Sequence, residues 1–180
     1  MSFNVYDSSN LIELNNDNIS VIISKFGAHV ISWKIDGNEL LWISNASVMD
    51  GTCPIRGGIP ICFPQFADNG PLKLHGFARE TMWTVIDTTQ TKAILELKES
   101  STTKAAWNND FILRLTIEIL ESSLLMIMDV INPSNEIPLE FSTCFHTYFK
   151  VIIIYDYIYI QADNNNVTIT YRLRTVIICH

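Results

Sequence analysis

The sequence predicts an all-β fold, and two observations carry that prediction. Apolar residues recur at every second position along most of the chain, which is the period of a half-buried strand. No segment shows helical periodicity bounded by caps. Many short strands at regular spacing then read as a β-sandwich or meander. A chain of 180 residues suits one domain and is long enough to bury a core. Hydrophobic residues make up 48% and charged residues 17%, so it should fold rather than stay disordered.

The strands follow in order. NISVIISK and HVISWKI are the first two candidates. Asp36-Gly37 separates HVISWKI from ELLWIS and signals a hairpin. MWTVIDTTQTKAILELKE reads as a second hairpin, turning near Thr89 to Thr91. In FILRLTIEILE, Leu113, Leu115, Ile117 and Ile119 point one way, with Arg114, Thr116 and Glu118 opposite. SLLMIMDVIN returns antiparallel to it across Glu121-Ser122-Ser123.

Residues 44–80 break the pattern with Pro54, Pro60, Pro64 and Pro71 and several glycines. Long loops in compact domains are usually functional or disordered. This one carries Ile55, Ile59, Ile61, Phe63, Phe66 and Phe77, which predicts an ordered loop packed on the sandwich. It offers Arg56, Gln65, His75 and Arg79. A later strand, PLEFSTCFHTYFK, adds His146. Its odd positions, Leu139, Phe141, Phe145 and Phe149, are apolar. Its even positions, Glu140, Ser142, Cys144, His146 and Tyr148, suit the floor of a ligand pocket. A structural role is the bland alternative for each: His146 as a hydrogen-bonded strand residue, Arg56 as a turn residue, His75 and Arg79 as an exposed loop pair. His29 reads as structural. Trp33, Trp42, Trp83 and Trp107 read as core rather than as a sugar-stacking platform. If KLHGFARE is straight, His75, Phe77 and Arg79 share one face; Phe77 packs under the loop only if the segment bends.

Several function classes are excluded. A net charge of -7 with no basic stretch argues against nucleic acid. A small anion needs only two or three local cations. The four cysteines show no C-x-x-C spacing, so no zinc ribbon or redox motif is indicated. No apolar run reaches membrane-spanning length. The N-terminal stretch MSFNVYDSSN lacks a basic region and an apolar run, which predicts a cytoplasmic protein. There is no nucleophile elbow, P-loop, G-x-G-x-x-G or H-E-x-x-H. Carboxylates are scarce in the loop, with only Asp50, Asp68 and Glu80, which disfavours a glycosidase.

Three motifs carry a family resemblance: RGGIPICFPQF (56–66), LHGFARETMW (74–83) and FSTCFHTYF (141–149). In this order they resemble the hexose-6-phosphate mutarotases, or glucose-6-phosphate 1-epimerases. These are a branch of the galactose-mutarotase-like fold. The resemblance covers residues 1–149. It implies a β-supersandwich, no metal and no organic cofactor, and a reaction that interconverts the α and β anomers of a hexose phosphate. It implies His146 as the catalytic histidine serving the ring oxygen. It also implies His75 and Gln65 as sugar contacts, and Arg56 and Arg79 as phosphate holders. Two guanidinium forks suit a dianion. A small-molecule hexose phosphate is therefore the expected partner.

Past Phe149 the resemblance stops, and residues 150–180 form an unmatched tail. The family's downstream half supplies a catalytic Glu and a substrate-site Asp, and neither is assigned in this chain. The sequence therefore reads as a truncated sandwich. The tail is rich in Ile, Tyr, Asn and Thr and has no Gly, Pro or Glu. It fits a divergent strand pair, a translated intron or a shifted reading frame; AT-rich codons give such a composition.

Overall fold

The computed structural model describes residues 7–150, 160–163 and 168–171. Two four-stranded antiparallel meanders form its body. The first runs β1 (Leu11–Asn15), β2 (Ile19–Ser24), β3 (His29–Ile35) and β4 (Asn38–Glu39). After the loop and its short strand β5 (Ile61–Cys62), the second runs β6 (Thr84–Thr88), β7 (Lys92–Lys98), β8 (Ile112–Ile119) and β9 (Leu124–Ile131). β5 pairs antiparallel with β10 (Cys144–Phe145), which ties the loop to the segment carrying His146.

Alternation decided the faces correctly. Leu113, Leu115, Ile117 and Ile119 are buried while their neighbours on β8 are half-buried. They share one core with Leu14, Val21 and Trp33 of the first sheet and with Phe63 and Phe145 between them. Each such side chain contributes about 1.5–3 kcal/mol when removed from water. The outer face of the second sheet carries Arg114, Glu96 and Lys98 in ion pairs. Asp36 and Gly37 both have positive φ, 50° and 77°, as the two-residue turn between β3 and β4 requires.

Four expectations need correction. PLEFSTCFHTYFK is not one strand: only Cys144–Phe145 pairs, with β5, and Phe149 makes a single bridge to Leu41. ELLWIS is not one strand: β4 ends at Glu39, and Leu41 and Ile43 make single bridges to Phe149 and Gly57. A helix exists, α1 (Ser101–Ala106), held by a capping box in which Ser100 and Thr103 bond reciprocally. Six residues are too few to show a helical period, so only the cap could have betrayed it. Trp42 is not core; it is 46% exposed, whereas Trp33 and Trp83 are buried. The loop behaves as expected, burying Ile55, Ile59, Ile61 and Phe63.

Of the tail, β11 (Ile160–Asp163) and β12 (Thr168–Tyr171) form an antiparallel pair. Asp156 and the rest of the tail beyond Lys150 lie outside the described residues. No helix among the described residues is long and apolar enough to cross a membrane.

His29 is fully buried, as its structural reading implied. Burial pushes its imidazole pKa from 6.5 down to about 4; the hydrogen bond to Gly57 opposes this and the Arg79 charge adds to it. Between those pH values the unfolded chain takes a proton that the folded chain refuses. The stability this group protects is present above pH 6.5 and is lost as pH falls towards 4. The loss should reach about 3 kcal/mol. Urea unfolding at pH 7 and pH 4.5 should show it, and His29→Gln should flatten the slope. An equal slope in the variant would assign the acid sensitivity elsewhere.

Candidate active site

The site is assembled from the loop and the β10 segment. His75 and Gly76 have successive positive φ values, 65° and 69°, and these reverse the chain. Glycine is required at 76, because a Cβ there would lie 2.1 Å from the Phe63 carbonyl oxygen. A 3-10 turn at Ala78–Glu80 follows. The bend answers the question left by KLHGFARE. Phe77 turns inward onto Phe63, with centroids 6.3 Å apart and rings edge-to-face. His75 turns outward, and the two do not share a face.

The turned-out His75 meets His146. Their ring centroids are 5.2 Å apart at 82°, edge to face. His146 stacks on Tyr148 at 4.8 Å and 15°. Phe66 flanks both histidines, at 5.5 and 6.4 Å. Phe66 is 37% exposed and Tyr148 36%, so the group opens to solvent. Tyr148 in turn touches Trp42 at 6.1 Å. The sequence reading placed Tyr148 on the pocket face but gave it no role, and it missed Phe66 and Trp42 as site residues. The alternation of the β10 segment was the available signal for Tyr148.

Each polar group has a definable state. The Ala67 amide donates to His75 Nδ1 at 3.1 Å, and Cys62 Sγ lies 3.3 Å from the same nitrogen. Nδ1 is therefore the acceptor, and the neutral ring carries its proton on Nε2. Burial, the Arg79 charge and His146 all lower the His75 pKa, so the ring is neutral at pH 7. Burial pushes the Cys62 thiol up to about 12, which keeps it a donor rather than a nucleophile. The His146 ring nitrogens make no hydrogen bond among the described residues, and its amide donates to the Pro60 carbonyl at 2.9 Å.

The two arginines are placed differently. Arg79 is mostly buried; its Nη2 donates to the Leu74 carbonyl at 2.8 Å, and its buried Nε makes no hydrogen bond among the described residues but a long ion-pair contact to Glu80. Glu80 is 3.9 Å from that Nε but is paired with Lys73. Arg56 is exposed. Its backbone is tied at both ends, the amide to Ser47 Oγ and the carbonyl to the Ser44 amide, and its guanidinium makes no ion pair among the described residues. Gln65 is buried and fully engaged: Nε2 donates to the Ala67 and Leu72 carbonyls, and Oε1 accepts from the Leu72 amide. It holds the 66–72 loop shut. Beside it a cleft of about 590 Å³ is lined by Pro64, Gln65, Trp107, Asn109, Glu140 and Ser142. The histidine pair lies outside that lining. Among the described residues no group of three or more His, Cys, Asp or Glu is placed to hold a metal.

Comparison with known proteins decides the family. The aldose 1-epimerase family model matches residues 10–175. The chain belongs to the aldose 1-epimerase family. That match runs past Phe149, where the three motifs end. An Escherichia coli K12 protein named "Putative glucose-6-phosphate 1-epimerase" is 32% identical over 152 residues, covering 81% of this chain and 50% of that protein. A Cenchrus ciliaris protein of the same name is 34% identical over 138 residues, covering 70% of this chain and 42% of that protein. This family member thus spans about half the length of the curated relatives it matches. Among solved structures, a galactose mutarotase related enzyme from Lactobacillus acidophilus superposes with a TM-score of 0.61 at 25% identity, covering 70% of this chain and 44% of that one. The Slr1438 protein from Synechocystis superposes at 0.60 and 28% identity, covering 68% and 48%. The fold of this epimerase-family chain is therefore the galactose-mutarotase-like one.

Proposed function

We propose that this chain carries the histidine and arginine side of a site that interconverts the α and β anomers of a hexose 6-phosphate. The observation that carries the reading is the edge-to-face pair of His75 and His146, with no hydrogen bond on the His146 ring among the described residues and the Arg79 charge close enough to lower the His75 pKa. Ring opening removes the proton from the anomeric hydroxyl, breaks the bond from C1 to the ring oxygen, and protonates that oxygen. His146, whose ring nitrogens make no hydrogen bond among the described residues, supplies and recovers the ring-oxygen proton. His75, with Nε2–H outward, donates to a sugar hydroxyl. Tyr148 and Phe66 offer aromatic faces to the C–H surface of the sugar. Arg56 and Arg79 hold the phosphate. Gln65 serves the sugar chiefly by fixing the loop that borders it. The carboxylate base that the family resemblance implies is not assigned to any residue of this chain. The exposed Arg56 and the mostly buried Arg79 also suit a second reading, a sugar-phosphate binder without turnover.

Saturation-transfer NMR on glucose 6-phosphate separates the two. Anomer exchange faster than buffer supports the epimerase; exchange at the buffer rate at high protein concentration sinks it. Calorimetric titration tests the clamp in either case. Losing a charge-assisted hydrogen bond costs about 1.5–3 kcal/mol. Arg79→Ala should therefore weaken glucose 6-phosphate binding by about 10- to 100-fold. Affinity unchanged in that variant would remove Arg79 from the site.

A further inference from the structure

His29, the first residue of β3, lies directly behind the turn that presents Arg56. Its imidazole is fully buried, and Nε2 sits 2.7 Å from the Gly57 carbonyl oxygen. Its Nδ1 is buried with no partner among the described residues. A carbonyl only accepts, so Nε2 carries the proton and Nδ1 is bare. The burial that disfavours the imidazolium is consistent with this single neutral tautomer.

The bond falls on a peptide with little intrinsic preference. Gly57 and Gly58 have φ values of 107° and 63°. With no Cβ on either side, the peptide between them can flip at small steric cost. Neither glycine is replaceable: a Cβ on Gly57 would sit 2.2 Å from the Trp42 carbonyl oxygen, and one on Gly58 would sit 2.8 Å from His29 Nε2. One orientation of this peptide satisfies both sides at once. Its carbonyl accepts from His29, and its N–H donates to the Trp42 carbonyl at 2.8 Å. The next carbonyl, of Gly58, accepts from the Tyr148 amide at 2.9 Å. The turn is thus flanked by Arg56 on one side and by the segment of Tyr148 and His146 on the other.

We propose that His29 is a positioning residue: its Nε2–H fixes the Gly57–Gly58 peptide, and with it the direction of Arg56 and the seating of Tyr148 beside His146. This deepens the functional reading and rests on Arg56 as a phosphate contact. His29 touches no ligand itself; it acts through the turn.

A double-mutant cycle on the full chain tests it, with glucose 6-phosphate as the titrant. His29→Leu keeps the volume and loses the donor; His29→Gln keeps a donor near the Nε2 position. H29L should weaken binding about tenfold, and H29Q should restore it to within about threefold of the unaltered chain. H29L should cost clearly less affinity in the R56A background than in the unaltered chain, the remainder being what reaches the sugar through Tyr148. Losses that multiply, or H29L binding like the unaltered chain, overturn the proposal. Long-range proton–nitrogen NMR supplies a readout independent of ligand. It should show His29 as the Nε2–H tautomer. The Gly58 amide should be single and sharp in the unaltered chain and in H29Q, and broadened or doubled in H29L. A Nδ1–H tautomer, or an unshifted single Gly58 amide in H29L, overturns the proposal. If the unaltered chain binds without exchanging anomers, the epimerase reading fails and the cycle still decides on His29. If it binds no sugar phosphate, the reading fails altogether and the NMR decides.

Discussion

On the proposed epimerase reading, His146→Ala should lower anomer exchange on glucose 6-phosphate by about 100-fold or more, the loss typical of removing one acid–base partner. The geometry makes this a clean variant. The His146 ring has no hydrogen bond among the described residues, and what holds it is stacking on Tyr148 at 4.8 Å and the edge contact with His75 at 5.2 Å. Such ring pairs are worth about 0.5–1.5 kcal/mol each. The amide bond to Pro60 belongs to the backbone and survives the substitution. Stability should therefore fall by only about 1–2 kcal/mol, leaving a folded chain whose exchange rate can be read. Saturation-transfer NMR measures the rate and urea unfolding the stability. A drop in rate smaller than about fivefold, with the fold intact, would remove His146 from the acid–base role.

Phe63→Ala should cost about 3–5 kcal/mol of stability, the range for deleting a buried phenyl ring. That is a large part of the 5–15 kcal/mol that holds a domain together. Phe63 is completely buried. Its ring contacts Phe77 at 6.3 Å, Trp107 at 5.6 Å, Phe111 at 5.5 Å and Phe141 at 5.4 Å. It joins the loop, α1's C-terminal end, β8's approach and the β10 segment in one aromatic knot. Its backbone matters as much. The Phe63 amide donates to the His75 carbonyl, and its carbonyl accepts from the Phe77 and Ala78 amides. A cavity here loosens the seat of His75 as well as the core. Denaturant unfolding with an unchanged m-value should show the loss, and Phe63→Leu should recover more than half of it. A cost below about 1 kcal/mol would mean that the loop is packed by something other than this knot.

The strand faces of β8 and β9 were legible because alternation is local: each side chain's direction follows from its neighbour's, whatever the partner sheet is. The β3–β4 hairpin was legible because Asp-Gly supplies the positive φ that such a turn needs. The residues proposed for the site, His75, Arg79, Arg56, Gln65 and His146, all lie in three short motifs, and the fold brings His75 and His146 together. Their employment was not legible. Gln65 looked like a sugar contact, and the fold uses its whole amide to hold the loop. Arg79 looked like a free cation, and the Leu74 carbonyl occupies one of its nitrogens. Trp42 looked like core, and the fold leaves it open beside Tyr148.

By itself the sequence determined the all-β class and the buried face of β8, because period and turn chemistry are written along the chain; β3, buried on both faces, shows no such alternation. Only the tertiary structure decided which polar atoms are already satisfied, that the chain bends at His75-Gly76, and that His75 comes edge-on to His146. Those outcomes depend on groups distant in sequence arriving at one place. A hydrogen bond spent inside the fold cannot be told from one left for a ligand until both partners are in position.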